Sequence, residues 1–326
     1  MRNDAIAVGS IAAFCTAIYR SLDNYTVHNL ITSSDKLTAA FAYLIVGGWT
    51  GVITGTIFSL AVGRKLIDPD FAGIVIRNSE MHRQAFISGS ISAGSTLFIM
   101  LGNQIGDPSV VIALVNLTVV YTILYDTFTK QVQFQQLFIP SALIVIGGMM
   151  AAFNGSFAVT FLGFFYVVIV SNGLDAYSGI VEVKGVRASD SVNLYIWRFF
   201  WLAFTGTILA IFVSLIRGYL GLLSQTVQGA LVHLPWVIVT MFFVFLGMGL
   251  KFYLKKTQAV SVVLLILSTQ LFLAYPITIF GSWIQPGMFG NVPTPPIIWL
   301  TRIIGSILII SGIVHLRRSG LSTQES

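Results

Sequence analysis

An all-α integral membrane protein, with ten transmembrane helices arranged as two inverted five-helix repeats, is the fold class that the sequence predicts. Three observations predict it. The chain of 326 residues is 56% hydrophobic and only 9% charged, with a mean hydropathy of +0.86, whereas a soluble domain carries about 25% charged residues. Charged, Gly and Pro residues divide it into apolar segments, each near the roughly 20 residues that a spanning helix needs. Finally, the two halves carry segments that match each other.

The spans are expected at about residues 5 to 22, 37 to 63, 84 to 102, 108 to 128, 132 to 153, 156 to 179, 193 to 216, 232 to 254, 257 to 280 and 295 to 316. Alternate loops divide Lys and Arg unequally, thirteen to one side and three to the other, with Arg198 and Arg302 inside segments. Positive charge is retained on the cytoplasmic side, so both termini are expected there, in a plasma (inner) membrane. The net charge of +6 lies in these short loops and reads as a topology signal, so no nucleic-acid partner is expected. The single Cys15 forms no staple, and the four histidines have no metal-ligand spacing. Neither a metal nor any other cofactor is expected.

Helix two carries Gly47, Gly51, Gly55, Ser59 and Gly63 four apart, a row of small residues that lets helices approach closely. In helix three Ser88, Ser92 and Thr96 recur every four residues, which makes Ser92 and Thr96 candidates for lining a cavity. Helix four reads LVNLTVVYTILYDTF from Leu114 and places Thr118, Tyr121, Thr122, Tyr125 and Thr129 on one face at roughly 100° per residue. Hydroxyls in hydrocarbon are costly unless paired or wet, so the stripe is expected to line a cavity or to bond back to its own helix. In helix seven, Arg198 stands about two turns in, either to meet an anionic group or to snorkel to the headgroups. Helix nine repeats the pattern of helix four: LLILSTQLFLAYPIT from Leu264 sets Ser268 against Thr118 and Tyr275 against Tyr125. Asn116 and Gln270 point to the opposite face and read as interhelical hydrogen-bond partners. Helix ten, SILIISGIV from Ser306, matches ALIVIGGMM from Ala142 in helix five.

Five helices per half put the second repeat into the membrane upside down, so residues 1–153 and 154–326 are expected as antiparallel units. Inverted repeats are the architecture of many secondary transporters, with substrate held near the midplane between the halves. Thr118, Tyr121, Thr122, Ser268, Ser92, Thr96 and Arg198 are then candidate substrate-binding residues, and Tyr125 and Tyr275 candidate inner and outer gates. All twelve acidic residues are expected in loops, termini or helix ends, away from the midplane.

The stretch DPSVVIALVNLTVVYTILYDTFTKQVQFQQLFIPSALIVIGGMM from Asp107, echoed by TRIIGSILIISGIV from Thr301, resembles the drug/metabolite transporter superfamily of the EamA-like type. The resemblance implies a central cavity wrapped by helices one, three, four, six, eight and nine, the last helix of each half being peripheral. It implies export or exchange of a small polar metabolite. The chain departs from that family in having Tyr125 and Asp126 where many members have Gly-Glu, and in the long insertion at 281–296. The expected function is secondary transport, as exporter, uniporter or exchanger, with the bilayer and a small polar metabolite as partners; an enzyme is not expected. Two other readings are an intramembrane prenyltransferase-like enzyme built on Asn172, Asp175 and Glu182, and a membrane scaffold that transports nothing.

Overall fold

The computed structural model describes residues 5–105, 114–129, 134–151, 153, 161–284, 288–289 and 295–318, and every regular element among them is helical. In chain order the α-helices of eight residues or more are α1 Ala5–Tyr25, α2 Lys36–Phe58, α3 Ser79–Ile105, α4 Thr118–Phe128, α5 Phe134–Ala151, α6 Asn172–Ala188, α7 Ser191–Ile216, α8 Leu220–Leu231, α9 Leu234–Lys255, α10 Val260–Leu267, α11 Gln270–Ile284 and α12 Pro296–Arg318. Wider π turns extend α1 (Thr26–Leu30) and α2 (Ser59–Gly63), and a third, Phe165–Ser171, leads into α6.

Six helical stretches are long and apolar enough to cross a membrane: Ala5–Tyr25, Lys36–Leu66, Ser79–Gly102, Leu162–Ala188, Ser191–Ile216 and Leu234–Lys255. The chain is therefore an α-helical protein with membrane-spanning helices. The other four expected spans differ for two physical reasons. Those near 132–153 and 295–316 contain shorter apolar helices, Gln135–Met150 and Pro296–Gly312. Those near 108–128 and 257–280 are interrupted. The starts of the spans at 108 and 156, and most of the 281–296 insertion, lie outside the described residues.

The two interruptions fall at matching places. At Asn116–Leu117 the backbone tightens: Leu117 N–H donates to Leu114 O (3.1 Å) and Val120 N–H to Leu117 O (2.9 Å), three residues back. At Ser268–Thr269 the Ser268 N–H is shared between Leu264 O (3.0 Å) and Leu265 O (3.2 Å), and Thr269 N–H donates to Ile266 O (3.2 Å). Neither place has Pro or Gly. Side chains enter the ladder instead, Thr118 Oγ1 donating to Val115 O (2.8 Å) and Ser268 Oγ to Leu264 O (2.9 Å), a known cause of helix bending.

The glycine row of α2 packs on α7, but as sockets for rings. A Cβ at Gly51 would lie 2.7 Å from the Phe199 ring, and one at Gly55 would lie 2.6 Å from the Tyr195 ring. Both ends of this helix pair are pinned by an acid. Asp35 caps α2 by accepting from Thr38 N–H (2.9 Å) and takes a forked contact from Arg217 (2.9 and 3.1 Å). That guanidinium, with Thr38, holds the Asp35 carboxyl below the ordinary range against a smaller opposing effect of burial. At the other end Asp68 accepts from Ser191 N–H and Oγ (both 2.9 Å) and from Lys256. Burial pushes the Asp68 carboxyl up, but these donors outweigh it and the net direction is down. Gly55→Val should overfill the Tyr195 socket and destabilise by about 1–3 kcal/mol, read as a lower midpoint of thermal unfolding in detergent with the helix content of the folded protein unchanged.

The matched segments of helices five and ten meet face to face as α5 and α12. A Cβ at Gly147 would lie 2.6 Å from Gly305 O. A cluster of Val119, Ile123, Leu137, Ile144, Val262, Leu265 and Ile266 joins α4, α5 and α10. The helix α8 was not foreseen. Its buried Leu223, Thr226 and Ala230 lie at helical spacing, but its 12 residues carry no charge to mark its ends.

Candidate functional site

A cavity of about 170 Å³ lies among α1, α2, α3, α6, α7 and α9, and a smaller one of about 40 Å³ adjoins it beside both helix interruptions. Five residues line both: Tyr19, Arg20, Val115, Asp175 and Lys251. Among the candidates read from the sequence, Ser92, Thr96 and Arg198 line the larger cavity, and Thr118 and Ser268 the smaller.

The rest of the helix-four stripe is elsewhere. Tyr121 Oη donates to Val168 O (3.0 Å), and the buried Thr122 Oγ1 bonds back to Val119 O (2.9 Å); neither residue lines these cavities. Thr118, Tyr121 and Thr122 share the unbroken helix α4, but past Thr118 its inward face is covered by protein, with Thr122, Ile123 and Asp126 buried. Tyr125 is half-buried near the end of α4, and the side chain of Tyr275 lies outside the described residues. Next to Tyr125, the buried Asp126 accepts from Ser261 N–H (2.8 Å) and so caps the start of α10. Arg302 Nε donates to Phe153 O (2.8 Å).

Asn172 supports the first interruption. Its Nδ2 donates to Leu114 O (2.7 Å) and its Oδ1 accepts from Thr118 Oγ1 (2.9 Å). The second is tied to the first by Gln270 Nε2, which donates to Asn116 Oδ1 (2.7 Å). Both Asn116 and Gln270 also line the smaller cavity.

Arg198 does not snorkel. It is 4% exposed, its Nε donates to Glu182 Oε1 (2.8 Å), and its Nη2 donates to Ser92 Oγ (2.5 Å). Lys255 donates to the other oxygen of Glu182 (2.5 Å), and Ser178 Oγ also donates to Glu182 (3.1 Å). Glu182 and Lys255 are 1% and 0% exposed, so α3, α6, α7 and α9 are joined by a buried charge cluster whose Arg198 end faces the larger cavity. A carboxylate serving two cations and a hydroxyl has little capacity left for a further ligand. Asn172, Asp175 and Glu182, the trio of the enzyme reading, therefore have three separate occupations: helix support, cavity lining and ion pairing.

The acidic residues correct the sequence reading most. α1 continues to Tyr25 and, through its π turn, to Leu30, so Arg20 and Asp23 stand inside the helical stretch and not at its end. Asp23 lines the larger cavity and accepts from Tyr43 Oη. Asp175 is near the middle of the Leu162–Ala188 stretch and faces both cavities. An ionisable residue within a spanning segment is a site candidate by default. Ending the first helix at residue 22 hid that signal.

No family model matches the chain, and no curated protein matches it. A solved structure, "Crystal structure of protein", has a TM-score of 0.60 and 10% identity, over 97% of this chain and 98% of that one. The likeness of fold extends over nearly the whole chain. At this identity the likeness concerns the fold alone.

Proposed function

We propose that the protein is a secondary transporter of a small polar metabolite, of the drug/metabolite transporter type, moving its substrate by alternating access between two inverted halves of five spans each. One observation carries this reading: two adjoining cavities with charged and hydroxyl linings meet beside helix interruptions that fall at matching places of the two halves. Interrupted helices at the repeat interface are where transporters hold substrate, and irregular backbone is tolerated at membrane depth where it lines a cavity or is buried in protein. The six long helices, the two interrupted ones and the paired α5 and α12 supply the ten spans. The charge asymmetry of the loops supports cytoplasmic termini in a plasma (inner) membrane, with Tyr125 at the inner mouth and Tyr275 at the outer.

The test is a metabolite comparison of cells with and without the protein, followed by flux of the differing solutes in proteoliposomes. Thr118→Val together with Ser268→Val should lower flux by about tenfold, the equivalent of one lost hydrogen bond of about 1.4 kcal/mol, while yield and monodispersity persist. Unchanged flux in a folded double variant would reject the chamber as the transport site. Turnover of an isoprenoid diphosphate by the purified protein in magnesium would favour the enzyme reading instead.

A further inference from the structure

We infer that the strap 67–78, which joins the ends of α2 and α3, grips an anionic phospholipid, with its aliphatic side chains against the acyl chains and the neighbouring free cations on the phosphate. This goes beyond the transport reading and stands without it. The strap is not helical, yet it is held to the start of α7. Asn193 Oδ1 accepts from Val75 N–H (2.8 Å), Asn193 Nδ2 donates to Gly73 O (2.9 Å), and Trp197 Nε1 donates to Val75 O (3.0 Å). His82 Nε2 donates to Ile76 O and Asn78 Nδ2 to Ala188 O, at 2.8 and 2.7 Å. The backbone is thus fixed to protein while three apolar side chains in a row stay uncovered: Ile74 and Val75 are 36% exposed and Ile76 is 72% exposed. A contiguous exposed apolar run marks a contact with another molecule or with the membrane.

The surroundings specify lipid. Along α7, Trp197, Trp201, Phe204 and Ile208 recur at helical spacing, and Phe204 and Ile208 are exposed, as is Phe86 of α3, whose ring packs on Trp201 at 4.8 Å. This face of a spanning helix therefore meets acyl chains. The strap lies on Trp197 at the end of that face, the level at which Trp rings mark the membrane interface. The charge is complementary to a phosphate. Arg64, Lys65 and Arg77 are exposed, and among the described residues none of the three makes a hydrogen bond or an ion pair. The acids of the same stretch are engaged: Asp68 by Ser191 and Lys256, Asp70 by Lys256 (3.3 Å), and Glu80 by Gln84 (2.6 Å) and Arg83 (3.9 Å). The uncompensated charge is therefore positive. Gly63, beside Arg64, packs on Val192, and the strap is bonded to Asn193, so the end of α2 and the strap meet on one turn of α7. Lys and Arg next to a bilayer attract anionic lipid, and a headgroup held here ties the ends of α2 and α7 together on the basic side of the membrane.

The experiment titrates the full-length protein in detergent with phosphatidylglycerol, with phosphatidylcholine of the same acyl chains, and with glycerol 3-phosphate. Native mass spectrometry reads bound lipid, and the thermal midpoint reads stabilisation, because a ligand of the folded state raises it. Phosphatidylglycerol is expected to bind at least about tenfold tighter than phosphatidylcholine and to raise the midpoint, and glycerol 3-phosphate to do neither. Arg64→Gln, Lys65→Gln and Arg77→Gln should each weaken phosphatidylglycerol binding by about fivefold, whereas Arg77→Lys, which keeps the charge, should not. All three are surface positions, so the midpoint without lipid should stay unchanged and certify folding. A second measurement locates the strap. In a Cys15→Ala background, a fluorophore on Ile76→Cys in phosphatidylglycerol proteoliposomes should be quenched by a nitroxide carried near the lipid headgroup, and not by aqueous iodide. Equal binding of the two lipids, or a lipid preference that survives in the triple Gln variant, would overturn the inference. An effect of glycerol 3-phosphate equal to that of the lipid would overturn it in favour of a soluble anion, and quenching by iodide alone would overturn it in favour of a strap open to water and to a protein partner.

Discussion

Glu182→Gln is expected to destabilise the protein by about 3–5 kcal/mol, the usual consequence of removing one partner from a buried ion pair. The carboxylate stands between Lys255 and Arg198, with Ser178 also donating to it, and all three charged groups are buried. Its loss leaves the buried Lys255 without a counter-charge and Arg198 without its ion-pair partner. A Gln side chain keeps the shape and one carbonyl acceptor, so the measured effect isolates charge from packing. The same account predicts partial recovery in Glu182→Gln with Lys255→Met, which withdraws one stranded cation and lets its stem pack. Thermal midpoints of the two variants and of Lys255→Met alone complete the cycle. A Glu182→Gln protein as stable as the parent would mean that water reaches the Glu182–Lys255 pair.

Asn172→Leu should cost about 2–5 kcal/mol: about 1–2 for two interhelical hydrogen bonds, which are modest in membranes, and about 1–3 for added volume at a fully buried position. Its functional effect should be larger than that cost implies. Asn172 is the side chain that holds both Leu114 O and Thr118 Oγ1 at the first interruption, and without it α4 has an incentive to straighten. Gly55→Val supplies a control of comparable instability remote from the interruption. Flux in Asn172→Leu should fall well below flux in Gly55→Val when both are compared at equal amounts of folded protein. Equal losses would assign Asn172 to stability alone.

How much of this was legible in the sequence varies with the physics behind each feature. The apolar segments could be read because bilayer thickness sets their length and lipid excludes charge. The Gly47 to Gly63 row could be read because small residues at a spacing of four announce a close contact, though not that Phe199 and Tyr195 would fill the sockets. The need of Asn116 and Gln270 for interhelical partners was legible, though not that they would partner each other. The interruptions were not, because they contain no Pro or Gly. They arise from Thr118, Ser268 and Asn172 competing with backbone partners, which requires the tertiary neighbours to be known. Tyr121 and Thr122 likewise could not be placed without knowing which neighbours cover α4. Arg20, Asp23, Asp175 and Lys251 were assigned to helix ends because charge usually marks an end. In this fold the helices run past them, and the chamber lies where the sequence looks like a boundary.

Cys15 is the single cysteine and is buried, which makes the central measurement practicable. In a Cys15→Ala background, Thr118→Cys and Ser268→Cys are exposed in turn to a membrane-impermeant thiol reagent applied from the outer or the inner side, with and without transported solute. A water-filled chamber opened alternately to each side predicts that both positions are modified from both compartments, and that solute shifts the balance between the two in the same direction for each. Protection of both positions from both sides under every condition would contradict the account.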